Sequence, residues 1–202
     1  SSDSSARLWD AETGECLRVL AGHSDIVKSA VFSSDGSMVI TASMDCTACV
    51  WAVPSGERTR VLRGHKKALS TTRFAPGGGH WLTASFDGTV RLWHAGSGDC
   101  ALVLPAENNV VNTAVFSPDG LSVLIASGSE WIRLYDASTG ECRLTLKGHE
   151  DWVRSASFSA DGTLITSASY DGTARIWSVA TGECLHTLRG HAGAVFTAEI
   201  AA

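Results

Sequence analysis

Hydrophobic and polar positions alternate in short apolar runs separated by polar or glycine-bearing breaks. In the first complete unit the runs are 27–32, 39–41, 48–51 and 59–62, and the breaks are Ser34-Asp35-Gly36, Met44-Asp45-Cys46 and Pro54-Ser55-Gly56. Runs of this length with no 3.6-residue periodicity between them predict β-strands. The breaks predict hairpin turns, because Asp and Gly tolerate the positive φ that tight turns need. The pattern then repeats: Trp9, Trp51, Trp93, Tyr135 and Trp177 stand 42 residues apart, and Gly-His recurs at 22–23, 64–65, 148–149 and 190–191 with one member of the series missing. A fixed period in this range signals a stacked-repeat architecture, in which a residue found once per repeat is first of all structural.

Each unit reads as a four-stranded antiparallel meander. Its first strand carries small residues at one place, Ser29-Ala30, Thr71-Thr72, Thr113-Ala114, Ser155-Ala156 and Thr197-Ala198, as strands crowded near an axis require. It ends in a bulky apolar residue, Phe32, Phe74, Phe116, Phe158 or Ile200, able to fill the space between neighbouring sheets. Such sheets bury their faces only by stacking radially, so the expected fold is an all-β propeller. The repeat units are 23–64, 65–106, 107–148 and 149–190, flanked by partial blades at 1–22 and 191–202, the latter containing a strand over 194–200.

The sequence resembles the WD-repeat β-propellers. The residues that carry the resemblance are the Gly-His pairs, the turn aspartates Asp45, Asp87 and Asp171, the Arg-Leu-Trp type strand endings at Trp9, Trp93 and Trp177, and the dipeptide Trp9-Asp10. It extends over essentially the whole chain. It implies a rigid, non-catalytic scaffold for protein or peptide partners, bound mainly on the narrow top face around the channel. It also implies a buried network in which Asp orients His, His meets a hydroxyl and the hydroxyl meets an indole N–H. The members are His23, Thr41, Asp45 and Trp51; His65, Thr83, Asp87 and Trp93; and His149, Ser167, Asp171 and Trp177.

A histidine, a hydroxyl and an aspartate also make up a hydrolase triad, but an enzyme needs one such site and this chain has three in phase. The third unit replaces every member, with Glu107, Ile125, Ser129 and Tyr135 at the four positions. Stranding one partner of a buried network costs about 1 to 3 kcal/mol, so coordinated replacement is expected once a network is abandoned. Two readings of this unit stand: a degenerate blade, or a specialised surface around 105–109.

Partner recognition is expected where the frame is constant and the residue varies. The residue before the turn aspartate is Met44, Phe86, Gly128 or Tyr170, and the residue just inside the first strand is Lys28, Ser70, Asn112, Arg154 or Phe196. Aromatic residues and Arg dominate interface energetics. The candidate partner-binding residues are therefore Lys28, Met44, Phe86, Trp152, Arg154, Tyr170 and Phe196, which the family resemblance places on the top face.

Charge and composition narrow the picture further. A net charge of −5 with mixed signs argues against nucleic acid as a partner. No run approaches the roughly 18 apolar residues of a membrane span, and the start has no leader pattern. Cys16, Cys100, Cys142 and Cys184 share one repeat position, and Cys46 with Cys49 makes a lone C-x-x-C without a second pair. Neither pattern makes a disulfide framework or a metal site, no cofactor motif is found, and unpaired thiols suit a cytoplasmic setting. Five 42-residue units need 210 residues against the 202 present, so the expectation is an open segment of a larger propeller that self-associates through its open ends. The competing reading is a regulatory sensor propeller joined to a catalytic or signalling domain in a longer protein.

Overall fold

The computed structural model describes residues 1–106 and 110–200. Every regular element among them is a β-strand. The chain opens with β1 (Ser5–Trp9) and β2 (Cys16–Ala21), a two-stranded antiparallel sheet. Four four-stranded sheets follow in chain order. The first holds β3 (Val27–Phe32), β4 (Met38–Ser43), β5 (Ala48–Ala52) and β6 (Arg58–Leu62), and the second β7 (Leu69–Phe74), β8 (His80–Ser85), β9 (Thr89–His94) and β10 (Cys100–Pro105). The third holds β11 (Val111–Phe116), β12 (Ser122–Ser127), β13 (Ile132–Asp136) and β14 (Cys142–Leu146), and the fourth β15 (Val153–Phe158), β16 (Leu164–Ser169), β17 (Ala174–Ser178) and β18 (Cys184–Leu188). Each strand pairs with its chain neighbours, all antiparallel, and the array of propeller blades is not closed by strand pairing between its first and last sheets. No helix among the described residues is long and apolar enough to cross a membrane.

The turns explain the local fold. In the hairpin joining β3 and β4, Asp35 accepts hydrogen bonds from the Ser33 hydroxyl at 2.6 Å, the Ser37 N–H at 3.0 Å and the Ser37 hydroxyl at 2.8 Å. These bonds to the charged form hold its carboxyl down at about 2. Asp119 and Asp161 close the same turn in the third and fourth sheets through Ser117 and Ser159.

The core lies in layers between successive sheets. Leu8 and Leu20 meet Val39, Cys49 and Trp51; Ile40, Val50 and Leu62 meet Leu69, Trp81 and Trp93. Leu82, Leu92 and Leu104 meet Val111, Val123 and Tyr135, and Leu124, Leu134 and Leu146 meet Val153, Ile165 and Trp177. Each sheet thus buries its face only against the next, as radial stacking demands.

Two expectations are corrected at the ends. Phe74, Phe116 and Phe158 pack into the layers between sheets, but Phe32 is 55% exposed, because the sheet before it has only two strands and offers no partner there. Residues 194–200 form no strand. They lie against the fourth sheet instead, through Val195 N–H to Ser169 C=O at 2.9 Å and Thr166 hydroxyl to Ala198 C=O at 3.1 Å, with Val195 covering Ala168 and Ala174. A first strand gains a ladder only when a second strand follows to pair with it. Glu107 and the stretch 107–109 lie outside the described residues.

Candidate functional site

Three copies of one polar network run through the first, second and fourth sheets. His23 Nδ1 lies 2.8 Å from Asp45 and its Nε2 lies 2.7 Å from the Thr41 hydroxyl, which also accepts the Trp51 indole N–H at 2.9 Å. His65 repeats this with Asp87 at 3.0 Å, Thr83 at 2.8 Å and Trp93 at 2.9 Å. His149 does so with Asp171 at 2.7 Å, Ser167 at 2.7 Å and Trp177 at 2.8 Å. The carboxylate can only accept, so Nδ1 carries the proton and Nε2 accepts from the hydroxyl.

Each aspartate also holds its own turn and the loop before it. Asp171 accepts the Thr173 hydroxyl at 2.6 Å, the Thr173 N–H at 2.8 Å and the Glu150 N–H at 3.0 Å. Burial works against the charge of Asp87, but bonds from Thr89, the Lys66 N–H and His65 outweigh it and hold its carboxyl down at about 2. Asp45 and Asp171 are lowered in the same way. Burial pushes His65 and His149 below their ordinary value, against the pull of Asp87 and Asp171.

Triad chemistry is blocked in this geometry. Thr41, Thr83 and Ser167 are fully buried, and each hydroxyl is already held between the histidine and the indole N–H, so no substrate carbonyl can reach the would-be nucleophile. The glycine before the histidine is favoured by its backbone: φ is +151° at Gly22, +142° at Gly64, +154° at Gly148 and +140° at Gly190, a conformation that residues with a side chain rarely adopt.

The candidate partner-binding residues divide into a contiguous group and scattered ones. In every four-stranded sheet the turn residue before the aspartate position donates its N–H to the residue that precedes the first strand: Met44 to Ile26, Phe86 to Ala68, Gly128 to Val110 and Tyr170 to Trp152, at 2.8 to 3.0 Å. This bond sets turn and strand start side by side. Where both are aromatic, Trp152 and Tyr170 meet edge to face at 6.4 Å, and Tyr170 meets Phe196 likewise at 5.9 Å. The three are 58%, 42% and 62% exposed, so they make a continuous aromatic strip open to solvent. Arg154 is exposed on β15. Met44 is exposed and Phe86 half-buried at their turns in the first and second sheets, and Lys28 lines a cleft beside β1.

Compared with known families, the chain matches the family described as WD domain, G-beta repeat over residues 14–52, 56–94 and 140–178, together more than half of its length. The chain belongs to the WD-repeat family. WD repeats are in general protein-interaction scaffolds, typically without catalysis. Comparison with curated proteins gives no match. The unmatched stretch between the second and third matches holds β11, β12 and β13 of the sheet that lacks the network, while its β14 falls within the third match.

That sheet shows what the substitution does. Ile125 is buried where its relatives have a hydroxyl. The Ser129 side chain bonds only locally, to the Ser127 hydroxyl at 3.0 Å and the Trp131 C=O at 3.2 Å, while its backbone C=O accepts the Val153 N–H at 3.0 Å. Trp131 stands where the WD repeats have Thr47, Thr89 and Thr173, and its ring lies 4.8 Å from Lys147 Nζ and 5.6 Å from the Arg133 guanidinium. The sequence reading left out these threonines, although their 42-residue spacing is a signal as clear as that of the aspartates they hold.

Proposed function

We propose that this WD-repeat protein is a non-enzymatic scaffold that captures a protein or peptide partner on the aromatic strip of Trp152, Tyr170 and Phe196, with Arg154 at its side. The observation that carries the reading is the strip itself: three large rings in mutual edge-to-face contact, all solvent-exposed, on a frame whose other turns carry Met44, Phe86 and Gly128. Rings held by one another lose little rotamer freedom on binding, so the area they bury is turned efficiently into affinity. The hydrogen-bonded networks give the strip a rigid base. An intracellular setting belongs to the same proposal, supported by the six free cysteines.

Self-association is proposed as well, supported by the exposed apolar side chains of the two-stranded sheet, Trp9, Leu17 and Val19.

The test of the main reading is a peptide ligand selected from a displayed library on the unaltered protein. Combined replacement of Trp152, Tyr170 and Phe196 by Ala should weaken its binding by well over tenfold while the melting temperature barely moves. Unchanged affinity, or a stability loss as large as the affinity loss, overturns the proposal.

A further inference from the structure

Two histidines interrupt the repeat. His80 opens β8, His94 closes β9, and the two face each other across that strand pair. The corresponding cross-strand pairs are Met38 with Ala52, Ser122 with Asp136, and Leu164 with Ser178. The frame therefore does not require imidazoles at this place. The backbone brings them close: His94 donates its N–H to Asp99 and His80 accepts at its C=O from Ala75, both at 2.9 Å, so the two residues do not exchange hydrogen bonds with each other. Side chains in such a non-hydrogen-bonded pair approach most nearly, with Cα atoms about 4.5 Å apart. The ring centroids are 4.9 Å apart with planes inclined at 43°.

The pair stands in a cleft of about 650 Å³ between the second and third four-stranded sheets, with Leu102, Phe116 and Leu121 on its walls. Among the described residues neither ring takes part in a hydrogen bond or ion pair, so all four ring nitrogens are uncommitted. Asp136, which also lines the cleft, is already engaged by Arg143 and by the Ser138 hydroxyl at 2.6 Å. No three His, Cys, Asp or Glu side chains converge on one point among the described residues, so what the cleft offers a cation is two imidazoles and solvent.

We propose that His80 and His94 form a chelating site for a divalent transition-metal ion, one nitrogen from each ring binding the ion and water completing its coordination. Imidazole nitrogens suit Cu²⁺, Ni²⁺ and Zn²⁺ rather than Mg²⁺ or Ca²⁺, and for such a site affinity is greatest for Cu²⁺. The two ligands come from adjacent strands already fixed in register, so the second bond forms at high effective concentration once the first is made.

The experiment uses Cu²⁺ as the probe on the full chain. The exposed thiols are alkylated first, and His186 and His191, the other exposed imidazoles, are replaced by Asn to remove background binding. The expected result is one bound Cu²⁺ whose electron paramagnetic resonance spectrum shows two imidazole nitrogens, with His80→Asn and His94→Gln each lowering the affinity at least about tenfold. His94 is exposed, so His94→Gln keeps the fold, checked by an unchanged cooperative melt, even if His80→Asn does not. Affinity unaffected by His94→Gln, or a spectrum without two imidazole nitrogens, overturns the proposal.

Discussion

Tyr135 donates its phenolic O–H to the Pro105 carbonyl at 2.7 Å, whereas Trp177 at the same repeat position gives its indole N–H to the Ser167 hydroxyl within its own sheet. One position thus serves two designs. In the first, second and fourth sheets the aromatic residue ends a network that runs back to an aspartate; in the third it anchors to backbone.

The two designs should differ in their sensitivity to mutation. Asp171→Ala removes the acceptor of His149, Thr173 and the Glu150 N–H at once, and should cost about 2 to 4 kcal/mol. Ser129→Ala loses only the local bonds to Ser127 and Trp131 and should stay within about 1 kcal/mol. Urea denaturation of both variants measures the difference, and equal costs would remove the energetic distinction between the sheets.

Acidification should destabilise the protein over two ranges of pH. His65 and His149 are held below their ordinary value of 6.5, so the folded state resists protonation that the unfolded chain accepts; stability falls as pH drops below about 6.5. The depressed carboxyls of Asp45, Asp87 and Asp171 stabilise the fold above their ordinary 3.8, and that contribution is lost as pH falls from there toward about 2 for Asp87. Both effects have the same sign. Denaturant midpoints should be level from pH 8 to about pH 7 and lower at pH 5 and pH 3, and a rise between pH 7 and pH 5 would contradict the assignment of neutral, buried histidines.

Cys46 adopts φ +68°, at the place where the second and fourth sheets have Gly88 and Gly172 at +81° and +78°. A side chain in this left-handed region costs about 1 to 2 kcal/mol, and glycine gives back about 0.4 to 1 in unfolded-state entropy. Cys46→Gly should therefore stabilise the protein by about 0.5 to 1 kcal/mol, which a thermal melt would register as a modest rise in Tm. A fall would show that the Cys46 side chain makes contacts worth more than the strain.

The two-stranded sheet of β1 and β2 carries Trp9 and Val19 on the face opposite Leu8 and Leu20, exposed at 58% and 49%. Size-exclusion chromatography with light scattering should find species heavier than the 21.2 kDa chain, and Trp9→Lys with Val19→Lys should shift them toward monomer. A monodisperse monomer of the unaltered chain would end the self-association proposal.

Spacing determined the strands of the four full sheets, their antiparallel order and the recurring sets of histidine, hydroxyl, aspartate and indole, because a repeat that buries its faces only against copies of itself must place the same residue types at the same intervals; that each set bonds as a network was implied by the family resemblance. His23, Thr41, Asp45 and Trp51 were legible as a set for that reason. What broke the period could be seen in sequence as different but not assigned a place. The meeting of Trp152, Tyr170 and Phe196 depends on a backbone bond between turn and strand start and on the path of the last segment across the fourth sheet. The facing of His80 and His94 depends on register, which decides whether opposed residues share backbone bonds or only side-chain space. The end of the chain went further against expectation. Residues 194–200 repeat the letters of a first strand, yet strand structure is a property of paired backbones, and only the assembled sheets determine which backbones find a partner.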